Sequence, residues 1–317
     1  MKRMNRLSLW GTVFLMSLFS GSCNDWTEIE SVNQKTQRPN EQDSELWAQY
    51  TAALREYKQS EHTLVFASFA NGAPVATSEK DCLRSLPDSL DLVSLTNADD
   101  FSAYDEEDLA VLHEKGTRVV YFVDYASRSA EWTDLTAIGT YLDKVIARVR
   151  ELGLDGLSFS GIPIYGAEAD QAAQKAVADL FIEKFTAVAG PGKDWVLLFE
   201  GDPQFIAAAD RTKINYFVLD TKETDNATDL KLQILRALGA GAVPCDKLLL
   251  GAMTEYEFTD EDKGTSDAIS ALTLRIPEIG PQPLAGLCIY GVNQDYFGAE
   301  IIYSLTRHTI QTLNPSK

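Results

Sequence analysis

Acidic side chains follow several short apolar segments of this sequence, a pattern that could bring carboxylates together. Asp124 follows one segment, Glu200 and Asp202 follow a second, Asp220 follows a third and Glu255 a fourth. Two carboxylates about 5–5.5 Å apart across a glycosidic bond are the catalytic pair of an ordinary retaining glycosidase. Asp124 with Glu200 or with Glu255 is therefore one conceivable acid pair, although each acid taken alone is typical of a solvated loop or a helix cap.

Aromatic and amide side chains occur at the same segment ends as these acids. Aromatic faces stack on the C–H patches of sugars, while planar carboxylates and amides hydrogen-bond to sugar hydroxyls, so together they would line a ligand cleft. Each aromatic alone is more often part of the core. The predicted ligand-binding residues are Asp124, Tyr125, Tyr165, Glu200, Asp202, Asp220, Glu255, Tyr290 and Asn293.

The histidines and cysteines give no pattern for a metal or for nucleophilic catalysis. The three histidines lie before the first apolar segment or within helical stretches, and we expect structural roles for them. Cys82, Cys245 and Cys288 form no Cys-x-x-Cys pair, so we expect buried apolar cysteines, of which at most one pair could bridge. We predict neither a metal site nor a cofactor.

The charge balance argues against a nucleic-acid partner. The chain has 317 residues and a formal net charge of −19 at neutral pH, with no cluster of Lys and Arg beyond its first six residues. A phosphate-binding face needs such a cluster.

The first 43 residues are typical of an exported, lipid-anchored protein. Lys2, Arg3 and Arg6 precede a short apolar run, and Ser20-Gly21-Ser22-Cys23 follows it. The apolar run is too short to cross a hydrocarbon layer about 30 Å thick, which favours a cleaved signal. We predict a signal peptide over residues 1–22, a lipidated Cys23 and a flexible tether through residue 43.

Eight apolar segments after this region are predicted β-strands, and amphipathic helices separate most of them. Nearly continuous apolar composition is expected of strands that are buried on both faces. The strands are Thr63–Ala70, Leu92–Thr96, Arg118–Asp124, Leu154–Ser160, Trp195–Glu200, Tyr216–Asp220, Lys247–Met253 and Leu284–Gly291. This alternation predicts one α/β domain over residues 44–317, a (β/α)8 TIM barrel. An open doubly wound sheet is the competing architecture.

The predicted helices are Ser44–Lys58, Tyr104–Lys115, Leu135–Leu152, Glu168–Ala189, Asp225–Leu238 and Glu300–Leu313. Ser44 is the predicted N-cap of the first, Asp134 or Thr133 of the third, and Gly153 is placed to end that third helix. The connections after the first and fifth strands are short.

The fourth strand carries the most specific signal. A helix precedes the turn Gly153-Leu154-Asp155-Gly156, which enters the strand Leu157-Ser158-Phe159-Ser160. This resembles the fourth strand of glycoside hydrolase family 18, which contains chitinases and endo-β-N-acetylglucosaminidases. The resemblance extends over roughly residues 44–315 and is similar in pattern to the Bacteroidetes branch of the family.

The same comparison indicates that the catalytic motif is degenerate. The family motif is Asp-Gly-hydrophobic-Asp-hydrophobic-Asp-x-Glu, in which the Glu protonates the leaving oxygen and the nearest Asp orients the substrate's N-acetyl group. Asp155 matches its first residue, but Ser158 and Ser160 occupy the two inner Asp positions and Ile162 occupies the Glu position. An aliphatic side chain cannot transfer a proton. The sequence therefore predicts no catalytic residue of the family type.

The resemblance implies a surface lipoprotein of the bacterial outer membrane that binds a glycan containing N-acetylglucosamine, such as an N-glycan, without cleaving it. Two alternatives remain: an active glycosidase that uses displaced carboxylates, and a scaffold partner of an outer-membrane glycan importer.

Overall fold

The computed structural model describes residues 39–164, 166–239, 243–260, 264–279, 281–298 and 300–315. The predicted signal peptide, Cys23, most of the predicted tether and Tyr165 lie outside these ranges. The chain divides after Ala48, and the barrel belongs to the unit Gln49–Lys317.

Eight parallel strands close into a barrel, in which each strand pairs with the next barrel strand along the chain and the last pairs with the first. Closure confirms the predicted TIM barrel and excludes the open sheet. The barrel strands are Leu64–Phe69 (β1), Leu92–Leu95 (β2), Arg118–Val123 (β3), Gly156–Gly161 (β4), Val196–Gly201 (β5), Tyr216–Leu219 (β6), Leu248–Met253 (β7) and Gly286–Tyr290 (β10).

Alternate residues of each strand face the barrel interior or the surrounding helices. One buried cluster contains Phe66, Val120, Leu198 and Cys288 and fills the interior. A larger cluster, which includes Phe159 and residues of the helices, fills the space between strands and helices. Because both faces of each strand are buried, the apolar runs in the sequence are almost unbroken.

The six predicted helices are present close to their predicted ranges: Ser44–Gln59 (α2), Ala103–Glu114 (α3), Leu135–Leu152 (α4), Glu168–Val188 (α5), Ala227–Leu238 (α6) and Ser304–Leu313 (α8). Two short helices were not predicted, Pro39–Gln42 (α1) in the preceding unit and Ala268–Thr273 (α7). After β1 and β5 the connections contain short 3-10 turns and no α-helix. The connection after β1, residues 70–91, is as long as the one after β2, residues 96–117, so the prediction that it is short is wrong. Within the described ranges, no helix combines the length and the apolar character that a membrane span needs.

Helix ends follow capping chemistry, with one correction. The Asp134 side chain accepts hydrogen bonds from the amides of Thr136 and Ala137 at the start of α4, and Gly153 ends that helix with φ of 69°. The first long helix is capped by Asp43 and not by Ser44 as predicted: Asp43 Oδ1 accepts from the amides of residues 45 and 46, at 3.1 and 2.9 Å. The cap precedes the first helical residue, and here that residue is Ser44 itself.

A β-hairpin between β7 and β10 is absent from the predicted elements. Its antiparallel strands are Glu257–Asp260 (β8) and Gly264–Asp267 (β9). Arg275 forms an ion pair with Asp260 and places its guanidinium 4.5 Å from the ring centroid of Phe258, which fixes the hairpin against the segment that follows α7.

Candidate functional site

The C-terminal ends of the barrel strands form the face on which TIM barrels carry their active sites, and we call this face the barrel mouth. Strand β4 contributes Ser158 and Ser160 to it, both facing the interior. Leu157 and Phe159 face the helices and belong to the outer cluster. Two glycines allow this geometry: a Cβ on Gly156 would lie 2.1 Å from the carbonyl oxygen of Val196, and one on Gly161 would lie 2.4 Å from the Phe205 ring.

Glu200, at the end of β5, is the centre of a hydrogen-bond network inside the barrel. Its Oε1 accepts from Ser94 Oγ at 3.0 Å and from Ser158 Oγ at 2.5 Å. Its Oε2 accepts from the Tyr290 hydroxyl at 2.6 Å. Only 6% of Glu200 is exposed. Three strands in addition to β5 therefore supply hydroxyl groups to one buried carboxyl group.

Burial raises the pKa of Glu200 above its usual value, although hydrogen bonds from Ser158, Tyr290 and Ser94 and the positive charge of Lys222 act in the opposite direction. Burial also raises the pKa of Tyr290 well above its usual value, and the neighbouring Glu200 charge adds to this effect. The Tyr290 hydroxyl therefore stays protonated and serves as a donor to the carboxyl group.

Lys222 connects this buried network to the surface. Its Nζ lies 4.6 Å from the centroid of the Tyr290 ring and 3.4 Å from Asp220 Oδ1. Gly251 on β7 makes room for both residues, since a Cβ there would lie 3.0 Å from Tyr290 Cε2 and 3.4 Å from Lys222 Cγ.

Asp124 follows β3 and contacts the second serine of β4. Its Oδ1 accepts from Ser160 Oγ at 2.7 Å and from the amide of Ser127 at 3.2 Å, while Ser160 Oγ also accepts from the amide of Ala126 at 2.8 Å. Burial acts to raise the pKa of Asp124, but the hydrogen bonds from Ser160 and Ser127, with the charge of Lys222, lower it overall. Asp124 is therefore an ionised, half-buried carboxylate at the mouth.

Three further residues predicted to bind ligand are placed differently. Tyr125 is 3% exposed and packs against Trp132, Phe181 and Phe205 in the outer core, because it faces the helices. Asn293 fixes two loops to each other: its side chain accepts from the amide of Ala70 and donates to the carbonyl oxygens of Ala70 and Lys80.

Glu255, the third of these residues, is exposed in the loop after β7 and has a positive φ of 67°. It is solvated and contributes no buried carboxylate to the mouth. The conceivable acid pair of Asp124 with Glu255 has no support from this placement.

Asp202 and Asp220 line a separate cavity beside the mouth. The cavity has a volume of about 290 Å³ and is bounded by the ends of β4 to β6 and by Gln233 and Arg236 of α6. The Asp202 side chain accepts from the amide of Gln204 at 2.9 Å, which is a capping contact. These two acids thus lie to one side of the Glu200 network.

The remaining motif residues have structural surroundings. Asp155 accepts from the amide of Val119 at 2.7 Å and contacts His113 Nε2 at 3.0 Å, which fixes the turn into β4. Ile162 is half-buried against the outer core. Cys82, Cys245 and Cys288 are free thiols. The described residues contain no group of three or more His, Cys, Asp and Glu side chains able to hold a metal ion.

Ser94, Lys222 and Gly251 are parts of the site that the sequence analysis missed. Ser94 interrupts an apolar strand at an inward position, and Gly251 does the same on β7. A polar or small residue at an inward position of an otherwise apolar strand could have identified Ser94 and Gly251 as parts of the site.

Comparison with known proteins identifies barrels of similar fold. The family model described as glycoside hydrolase family 18, BT1044-like, matches residues 27–133. A selenomethionine-labelled Glu-to-Gln variant of BT1044 superposes with a TM-score of 0.68 at 15% identity, covering 88% of this chain and 96% of that one. A search of curated proteins finds no match to this sequence.

Two other barrels of similar fold were solved with sugars present. An endo-β-N-acetylglucosaminidase from Cordyceps militaris, in complex with fucosyl-N-acetylglucosamine-Asn, has a TM-score of 0.60 at 19% identity and covers 84% of this chain and 95% of its own. YKL-39, solved in the presence of chitooligosaccharides, has a TM-score of 0.57 at 10% identity, covering 80% of this chain and 100% of its own. These findings bear out the predicted resemblance to glycoside hydrolase family 18: the family model matches residues 27–133, and the solved structures share the barrel fold.

Proposed function

We propose that the protein binds a glycan containing N-acetylglucosamine at the barrel mouth and does not hydrolyse it. The observation that carries this proposal is the replacement of the family's acids by Ser158, Ser160 and Ile162. The hydroxyl groups of Ser158 and Ser160 donate hydrogen bonds to Glu200 and Asp124, and the aliphatic side chain of Ile162 cannot transfer a proton.

Groups suited to holding a sugar remain at the mouth. Asp124 presents an ionised carboxylate that can accept hydrogen bonds from sugar hydroxyls. Tyr256 and Phe297 follow β7 and β10 on the same side of the barrel and are 38% and 69% exposed. Exposed aromatic rings offer the stacking surface that sugars use. The glycans in the two related complexes support the substrate class.

The test is isothermal titration calorimetry of the purified protein against N-glycans and chitooligosaccharides, with mass spectrometry of the same mixtures. We expect binding without released product. Asp124→Asn and Phe297→Ala should each weaken binding by about tenfold, a typical loss for one well-placed contact. Asp170→Asn, an exposed acid at the start of α5, is the matched control. Product release would overturn the binding-only proposal.

The alternative of hydrolysis by displaced acids draws support from one observation. Asp124 and Glu200 flank β4, and their pKa values move in opposite directions, which is the relationship expected of a base and an acid. Against this, both oxygens of Glu200 are engaged by hydroxyl donors and little of the residue is exposed. Turnover that is abolished by both Asp124→Asn and Glu200→Gln would establish this second function.

We further propose that Cys23 carries a lipid that anchors the protein to the outer membrane at the cell surface, where a glycan importer would be a partner. The signal-like residues 1–22 support this proposal. Labelling of cells with a radioactive fatty acid should mark the protein, and Cys23→Ala should abolish the label. An unlabelled wild-type protein would contradict it.

A further inference from the structure

The opposite end of the barrel, formed by the N-terminal ends of the strands, contains a second cavity. It has a volume of about 280 Å³. The end of α2 forms one side, the beginnings of β1, β2, β3 and β6 form the others, and Leu64, Phe66 and Leu92 supply an apolar floor. We call this cavity the basal pocket. TIM barrels carry their active sites at the other end, so this pocket is separate from the barrel mouth.

Three cationic side chains line the basal pocket, namely Arg55, Lys58 and Arg118. Arg55 donates to the carbonyl oxygen of Glu114, and Lys58 Nζ donates to Thr117 Oγ1 at 2.6 Å, so both partners are neutral. In the part of the chain that the structure describes, the guanidinium of Arg118 has no hydrogen bond and no ion pair.

Among the described residues, Asp91 is the carboxylate that lines the pocket, and it is already engaged. Asp91 Oδ1 lies 2.8 Å from His62 Nε2, and its Oδ2 accepts from the amide of Val65 at 2.9 Å. The neighbouring Asp88 pairs with Lys115 at 2.7 Å. Asp246 lines the adjoining, larger groove and not this pocket. A surplus of positive charge therefore remains in a chain whose net charge is −19.

Burial disfavours the charge of Lys58, which is half-buried, whereas Arg55 and Arg118 are exposed. It lowers the pKa of Lys58 from 10.5 to about 8, although Asp91 and Asp88 act to raise it. Gly116 permits the close approach of Arg55, because a Cβ at that position would lie 2.9 Å from Arg55 Cγ. Gly116 thus leaves room for the aliphatic part of the Arg55 side chain. An anion in the pocket would offset the cost of burying the Lys58 charge, since partly buried charges interact strongly with an opposite charge.

We propose that the basal pocket binds a small organic anion with one carboxylate or phosphate group and a short apolar portion. The oxyanion lies between Arg118 and Lys58, with Arg55 beside it. The apolar portion packs on Leu64, Phe66 and Leu92, against the ring of Tyr216. This inference does not depend on the glycan site, which lies at the other end of the barrel.

The test is calorimetric titration of the full chain with phenyl phosphate, benzoate and inorganic phosphate at low ionic strength. We expect one site per chain. Phenyl phosphate should bind at least about tenfold more tightly than inorganic phosphate, because the apolar floor contributes only to the former. The stronger of phenyl phosphate and benzoate identifies the head group.

Variants locate the site. Arg118→Gln should weaken binding by about tenfold or more, while Lys231→Gln, which removes an exposed cation from α6, should leave it unchanged. Lys58→Met should raise the melting temperature or leave it unchanged, and should also weaken binding. Absence of binding by the wild type, or equal affinity of the Arg118→Gln and Lys231→Gln proteins, would overturn the proposal. Chitooligosaccharide binding should be the same in all of these proteins.

Discussion

The hydrogen bond between Ser158 and Glu200 links the loss of one carboxylate to the presence of another. Ser158 occupies an inner Asp position of the family motif, and its Oγ lies 2.5 Å from Glu200 Oε1. A carboxylate at residue 158 would bring two like charges together in a buried site, where they cannot both ionise at low cost. The serine therefore fits a barrel that has Glu200.

This coupling predicts the outcome of restoring the motif. Ser158→Asp should destabilise the wild type by about 3 kcal/mol, because it places a second acid beside a buried one. In a Glu200→Gln background the same substitution should cost at least about 1 kcal/mol less. Urea unfolding of the four proteins measures the difference.

Ser158→Asn is the neutral control for this cycle, since its amide can still donate to Glu200 and its size matches that of Asp. It should cost less than Ser158→Asp in the wild type. Equal costs of Ser158→Asp in the two backgrounds would show that the two positions are not coupled.

At the scale of secondary structure, the eight barrel strands were predictable because burial on both faces leaves a long apolar run. Strand β3 begins at Arg118 as predicted and ends one residue earlier. The hairpin of β8 and β9 was not predictable in this way. Its strands are short, largely exposed and polar, so they carry no apolar pattern.

The direction in which a side chain faces explains which site residues could be predicted. Glu200 and Tyr290 face the interior, while Tyr125 immediately follows Asp124 and faces the helices. Successive strand residues face opposite sides, so a difference of one residue at a strand end separates a ligand contact from a core contact. A sequence pattern cannot locate the end of a strand to within a single residue. The sequence pattern could therefore predict which strand ends form the mouth, but not which side chains at those ends face into it.

The close approach of β4 and β5 at Gly156 predicts that a side chain there would destabilise the fold. Gly156→Ala should destabilise the fold by about 3 kcal/mol, because its Cβ would meet the Val196 carbonyl oxygen and force β4 away from β5. The matched control is Gly139→Ala in α4, where the nearest atom to the new Cβ is 3.8 Å away.

The control should stabilise the protein by about 0.5–1 kcal/mol through helix propensity. Thermal and urea unfolding measure both changes. A neutral Gly156→Ala protein would mean that the β4–β5 pair tolerates a side chain there, and the geometry of Ser158 and Ser160 would lose this explanation.

For the whole molecule, charge is divided between the two ends of the barrel. Asp124 lies at the mouth and Asp202 and Asp220 line the cavity beside it, whereas Lys58 and Arg118 line the basal pocket at the other end. A neutral sugar at the mouth avoids the repulsion that an anionic ligand would meet, while the basal pocket favours an anion. The two proposed sites should thus differ in salt dependence, with the basal one weakened by added salt.

Two histidine–carboxylate pairs join secondary-structure elements and predict how stability depends on pH. His113 contacts Asp155 at 3.0 Å, and His62 contacts Asp91 at 2.8 Å. The hydrogen bond to the carboxylate is the main cause that raises the pKa of each histidine, and burial opposes it. A histidine with a raised folded-state pKa contributes stability that is fully present below its unfolded pKa, about 6.5.

That contribution is lost as pH rises through the folded-state pKa, so we expect the melting temperature to fall from pH 6 toward about pH 7.5. The upper limit avoids Lys58, whose pKa of about 8 gives the opposite sign: an amine with a lowered folded-state pKa makes the fold more stable as it deprotonates. His113→Gln should flatten the fall by removing one titrating pair. His308→Gln is the control, since His308 forms no ion pair among the described residues. A His113→Gln protein with the same pH profile as the His308→Gln protein would contradict the assignment of this dependence to the pair with Asp155.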